Sequence, residues 1–126
     1  MSGRLVSLWA PVVIYMASIF YVSSLPDVTL PPGGDKPWHL IAYTGFGVVV
    51  ARAFAGGFLR PLSVSAAAFA IAFAVAYAAT DEVHQMFVPG RSAELADLIV
   101  DSLGVVIGTA VCWACGIIGR FSRDEL

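Results

Sequence analysis

Charge is what this sequence has least of. Of its 126 residues, 13% are charged, about half the share usual in a soluble domain. That scarcity leaves too little polar surface to hold a domain of this size in solution. There is no basic excess: seven Lys and Arg stand against nine Asp and Glu, for a formal net charge of −2, and nucleic acid is excluded as a partner on that ground. Cysteine is nearly absent, with two in the chain, which excludes a disulfide framework. What is present is apolar. Hydrophobic residues make up 59% of the chain, and the mean hydropathy is +0.84. So apolar a chain is not disordered. The class that remains is the integral membrane protein. A bilayer-spanning helix takes about 20 apolar residues, so the chain has room for four.

The few charges bracket the spans and predict an all-α bundle of four transmembrane helices in a single domain over 1–126. No charge lies between Arg4 and Asp27, which gives a first helix over about 5–25 with Pro11 inside it. A cleaved signal peptide is the competing reading. Its apolar core would be shorter and would end in a small-residue site, so a retained helix is expected. Breakers fill the first loop, Pro26 to Gly34. A second helix over 36–58 starts with Pro37 at a tolerated first-turn position and is closed by Gly56, Gly57, Arg60 and Pro61. The third span, 62–87, contains a strict alternation of Ala70, Ala72, Ala74, Ala76 and Ala78 with Phe69, Ile71, Phe73, Val75 and Tyr77. Period two is a strand signal. An unpaired strand in lipid would leave its backbone groups unsatisfied, so a helix is expected. The fourth helix, 93–118, is expected to start at Ser92 as N-cap. It carries Gly104 and Gly108, a G-x-x-x-G pair that admits a close neighbour. Arg4, Arg52, Arg60, Arg120 and Arg123 fall on one side of the membrane, Lys36 and Arg91 on the other. That bias predicts a multi-pass protein of the cytoplasmic membrane with both termini cytoplasmic.

Most of the remaining polar residues collect at the opposite, outer end. Helix two begins with Asp35, Lys36 and His39. Helix three ends with Asp81, Glu82, His84 and Gln85. Arg91 lies in the third loop, and helix four begins with Glu94, Asp97 and Asp101. Ionisable groups at membrane depth are costly and are functional candidates by default. Asp35, His39 and Tyr43 are four apart and share a face, as do Asp81 and Gln85. Asp97 and Asp101 continue the stripe of Gly104 and Gly108, so the face that packs on a neighbour also aims both acids inward. With acids in excess of Lys36 and Arg91, three outcomes are open: ion pairs, shared protons, or a divalent cation such as Mg²⁺ or Ca²⁺ held by Asp81, Glu82, Asp97 and Asp101. Asp35, His39, Asp81, Glu82, Gln85 and Asp97 are the candidates for catalysis. Lys36, Tyr43, Arg91 and Asp101 are the candidates for ligand binding. Arg91 suits either an ion pair with Asp97 or Glu82, or an anion clamp. His84 lies off the Asp81–Gln85 line and is expected to face solvent. Cys112 and Cys115 spell C-W-A-C, but in an apolar span they read as packing. Trp9, Trp38 and Trp113 read as interfacial aromatics. The terminal Arg123–Leu126 tetrapeptide is a chance likeness to a retention signal.

Three segments together resemble a known family: D-K-P-W-H-L-I-A-Y (Asp35–Tyr43), D-E-V-H-Q-M-F-V-P-G-R (Asp81–Arg91) and D-L-I-V-D-S-L-G-V-V-I-G (Asp97–Gly108). The pattern resembles the VanZ-like family of small bacterial membrane proteins with four predicted helices, over residues 5–118. The D-E-x-x-Q-x-F-x-P-G-R block is its most specific part. Asp101 departs from the asparagine expected there. The resemblance implies a place in the cell envelope and a link to teicoplanin-type glycopeptide resistance. Three readings of function follow. One is a binding module that engages a lipid-linked cell-wall precursor, another envelope lipid or a lipophilic glycopeptide. One is a metal-dependent enzyme on phospholipid or polyprenyl-phosphate head groups. One is a structural or assembly subunit of an envelope complex.

Overall fold

A computed structural model describes residues 2–26 and 34–125. Most of the proline-rich first loop therefore lies outside the described residues. Four helices run in chain order: α1 Gly3–Ser23, α2 Lys36–Ala55, α3 Val64–Gln85 and α4 Leu95–Asp124. Each is long and apolar enough to cross a bilayer, and no strand occurs among the described residues.

The ends differ from the expected ones for local reasons. α1 starts two residues early because Ser2 caps it, its Oγ accepting from Leu5 N at 3.4 Å. Ser63 does the same for α3, accepting from Ala66 N at 3.1 Å. α2 stops at Ala55 because Gly56 takes a left-handed conformation, φ 84°, which glycine adopts without a Cβ penalty. α4 is capped by Glu94 rather than Ser92, and it runs six residues past the expected Ile118 to Asp124. No proline follows Ile118, Gly119 stays helical where it packs on Leu59, and Arg123 sits favourably on the last turn.

The alanine run of α3 shows why period two misleads in a membrane. Ala70, Ala74 and Ala78 are buried, whereas Ala72 and Ala76 are exposed. Burial follows the four-residue repeat of a helix. These small residues let α3 settle on a core of Tyr43, Phe46, Val50, Val105 and Cys112.

The α2–α4 contact is the tightest. A Cβ on Gly104 would lie 2.9 Å from both Leu40 O and Thr44 N of α2. A Cβ on Gly47 would lie 2.6 Å from Val105 O of α4. Glycine from each helix thus lies on the backbone of the other, the close approach that small-residue motifs permit. α1 packs on α2 and α3 and not on α4. It is tied at its start by Arg4, which donates to Gly56 O at 3.2 Å, and by Arg52, which donates to Ser7 O at 3.1 Å. Large apolar side chains such as Val13, Ile41, Phe69, Ile99 and Ile118 face outward. That surface is suited to lipid and unsuited to water.

Candidate functional site

The last turns of α1 and α3 and the first turns of α2 and α4 meet at one end of the bundle. The glycine contact between α2 and α4 brings His39 against Asp101. Nδ1 of His39 lies 2.7 Å from Asp101 Oδ1. Nε2 of the same ring lies 3.5 Å from Asp35 Oδ2 and 3.9 Å from Asp97 Oδ2. Lys36 donates to Asp97 Oδ1 at 2.8 Å and to Glu94 Oε2 at 3.0 Å, with Asp35 Oδ1 at 3.6 Å. Asp97 and Asp101 are 1% and 0% exposed, as the glycine stripe required.

α3 supplies the other wall. Asp81 accepts from Tyr43 Oη at 3.0 Å. Glu82 Oε2 accepts from the backbone N–H of Glu94 at 3.1 Å, so a side chain of α3 satisfies a backbone donor at the entry of α4. Three carboxylate oxygens, Asp81 Oδ1, Glu82 Oε1 and Asp101 Oδ2, are buried without a hydrogen-bond partner. Leaving such an atom unmet is costly. Each oxygen calls for a proton, a cation or a donor from a ligand. One ligand atom from each of His39, Glu82 and Asp101 falls within 4.8 Å of the others, and the same holds for Asp35, His39 and Asp97. The second set differs from the carboxylate-only set expected from sequence, and so does the first. Both turn on His39, and Asp81 belongs to neither.

A cavity of about 580 Å³ opens beside this cluster. Tyr15, Ile19 and Val22 of α1 face Trp38 and Ala42 of α2 across it, and Asp35, His39, Tyr43, Asp81, Gln85 and Arg91 close its polar end. Ser23 also lines it, and its buried Oγ has no partner. Sequence reasoning gave α1 no part in the site. Its polar residues there, Tyr15, Ser18 and Ser23, are scattered along a mostly apolar helix.

Arg91 corrects an expectation. It pairs with neither Asp97 nor Glu82. Nε donates to Leu25 O at 3.0 Å and Nη2 to Val22 O at 3.1 Å. It meets carbonyls at and just past the end of α1, Val22 O also accepting from Leu25 N at 3.2 Å, and its side chain still lines the cavity. His84 does not simply face solvent either. Its Nε2 lies 2.9 Å from Ser24 Oγ, and its ring stacks on Phe20 with centroids 4.4 Å apart. Together they tie α3 to α1. Cys112 and Cys115 are free thiols, the former buried. Trp9 packs inward on Phe54 and Phe73, while Trp38 and Trp113 are exposed.

Four apolar helices around a buried ionisable cluster define a multi-pass membrane protein with a polar pocket at one end. The VanZ/LLP1 family model matches residues 8–118, and the chain belongs to that family. No curated protein and no solved structure matches it.

Proposed function

We propose that this membrane protein binds an envelope amphiphile, either a lipid-linked cell-wall precursor or a lipophilic glycopeptide of the teicoplanin type. The cavity carries the reading. Its flank between α1 and α2 is apolar and suits a hydrocarbon chain, and its end presents Asp35, His39, Tyr43, Asp81 and Gln85 to a head group. Asp35 and Asp81 offer acceptors at that end beside His39 and Arg91, so it suits a head rich in O–H and N–H donors, such as sugar or peptide. The Lys and Arg bias supports a cytoplasmic-membrane protein with cytoplasmic termini and an outward pocket, within reach of such ligands. Cells with the gene deleted, and cells carrying Asp97→Asn, are expected to change in teicoplanin sensitivity. Unchanged sensitivity in both removes the resistance role.

One observation favours a second reading, an enzyme acting on phospholipid or polyprenyl-phosphate heads. His39 reaches the cavity and is held by Asp101 on its other side, the arrangement of an oriented general base. Lipid extracts compared by mass spectrometry, with and without the protein and with Glu82→Gln, separate the two. Conversion of a lipid species favours the enzyme. Retention without conversion favours the binding module.

A further inference from the structure

We infer that His39, Glu82 and Asp101 form a site for one divalent transition-metal ion of the Zn²⁺ or Mn²⁺ class, with one ligand drawn from each of α2, α3 and α4. The site goes beyond amphiphile binding and stands whether or not the cleft is filled.

Two independent observations carry it. The first is convergence: one ligand atom from each residue lies within 4.8 Å of the others. The second is the pair of orphaned oxygens. Glu82 Oε1 and Asp101 Oδ2 have no partner, and their residues are 6% and 0% exposed. No Lys or Arg side chain supplies the missing charge. Lys36 is engaged by Asp97 and Glu94, and Arg91 by the end of α1. Ligands of one such ion sit about 2.0–2.2 Å from it, so two at right angles stand roughly 3 Å apart. His39 Nδ1 and Asp101 Oδ1, 2.7 Å apart, need only a small movement to admit it.

The surroundings have the form of a supporting shell. A metal-bound histidine donates its other ring N–H to a carboxylate, and bound carboxylates are themselves hydrogen-bonded. With Nδ1 on the ion, Nε2 faces Asp35 and Asp97 at 3.5 and 3.9 Å. Glu82 Oε2 is fixed by the Glu94 N–H while Oε1 stays free. Asp97 is already committed to Lys36, which makes the Asp35–His39–Asp97 group the orienting shell rather than the site. The donor set also decides the metal. Oxygen-only sites suit Mg²⁺ and Ca²⁺, whereas imidazole brings in the first-row transition ions. Three protein ligands leave coordination open, as at catalytic rather than closed structural zinc sites.

The test is titration of the full-length protein in detergent with Zn²⁺, Mn²⁺ and Mg²⁺ after stripping with EDTA. Saturable binding of about one Zn²⁺ or Mn²⁺ per chain is expected, tighter than Mg²⁺. Affinity is expected to fall at least roughly tenfold in His39→Gln, Glu82→Gln and Asp101→Asn, and to persist in His84→Gln. Should those ligand variants fail to fold, pulsed electron paramagnetic resonance of Mn²⁺ on the wild type decides. Imidazole nitrogen coupling, kept in His84→Gln, supports the site. Absence of saturable binding, full affinity in both Glu82→Gln and Asp101→Asn, or absence of nitrogen coupling overturns it.

Discussion

Arg91 shows how a charged residue at a membrane surface can serve the fold rather than a partner charge. Its two donated bonds go to Leu25 O and Val22 O, carbonyls at and just past the end of α1. Charge-assisted bonds contribute about 1.5–3 kcal/mol each, and less where the bond is exposed and the acceptor keeps another donor, as Val22 O keeps Leu25 N. Arg91→Ala is therefore expected to cost about 2 kcal/mol, read as a fall in Tm in detergent, with Arg91→Lys recovering only part because it lacks the forked geometry. An unchanged Tm would remove Arg91 as the tie. The inward aim of His39, Asp97 and Asp101 was legible in the sequence, because helical spacing ties each to a face with Tyr43 or with Gly104 and Gly108. The partner of Arg91 was not. A backbone carbonyl acceptor leaves no mark on residue type, and the acids of α3 and α4 looked the more natural match. The pairing of Glu82 with the Glu94 N–H was hidden for the same reason.

At the scale of the helix, α2 and α4 make the site by approaching closely. Gly47 and Gly104 lie against backbone of the opposing helix, and backbone cannot yield as a flexible side chain can. Gly104→Ala is expected to cost about 1–3 kcal/mol through overpacking, and to part His39 from Asp101. Thermal unfolding and metal affinity, measured together, check both effects. A variant with wild-type values for both would mean that the helices are not held at this distance. Four apolar spans between sparse charges were visible in composition alone, and so was G-x-x-x-G as a contact. The exact ends were not. They are set by Ser2 and Ser63 as side-chain caps and by a left-handed Gly56, and several residues near each end could have served as well. Nor could the sequence show which helix α4 would meet. Reciprocity with Gly47 becomes apparent only once α2 and α4 lie side by side.

Across the whole molecule, charge is sorted by end. Arg4 and Arg52 bind carbonyls at one end of α1 and α2, and Arg123 binds Leu59 O nearby. Asp35, Asp81, Glu82, Glu94, Asp97 and Asp101 gather at the other end around Lys36 and His39. The proposed cytoplasmic location of both termini makes a direct prediction. Cysteines introduced at Ser2 or Ser122 are expected to react with a membrane-impermeant maleimide only after cells are opened, and one at Ala93 in intact cells. The reverse pattern would turn the pocket toward the cytoplasm. What the sequence could not display is the cleft, because its apolar wall comes from α1, a helix whose residues look like any other span. Ala42 lines that cleft beside Tyr15, and a larger side chain there would fill the space. Native mass spectrometry of the solubilised wild type is expected to show a retained amphiphile whose head carries hydroxyl, amine or amide donors. Ala42→Trp is expected to lose it while keeping its helical content. A wild-type protein free of amphiphile, or an Ala42→Trp protein that retains it equally, would contradict the assignment of the cleft as the binding site.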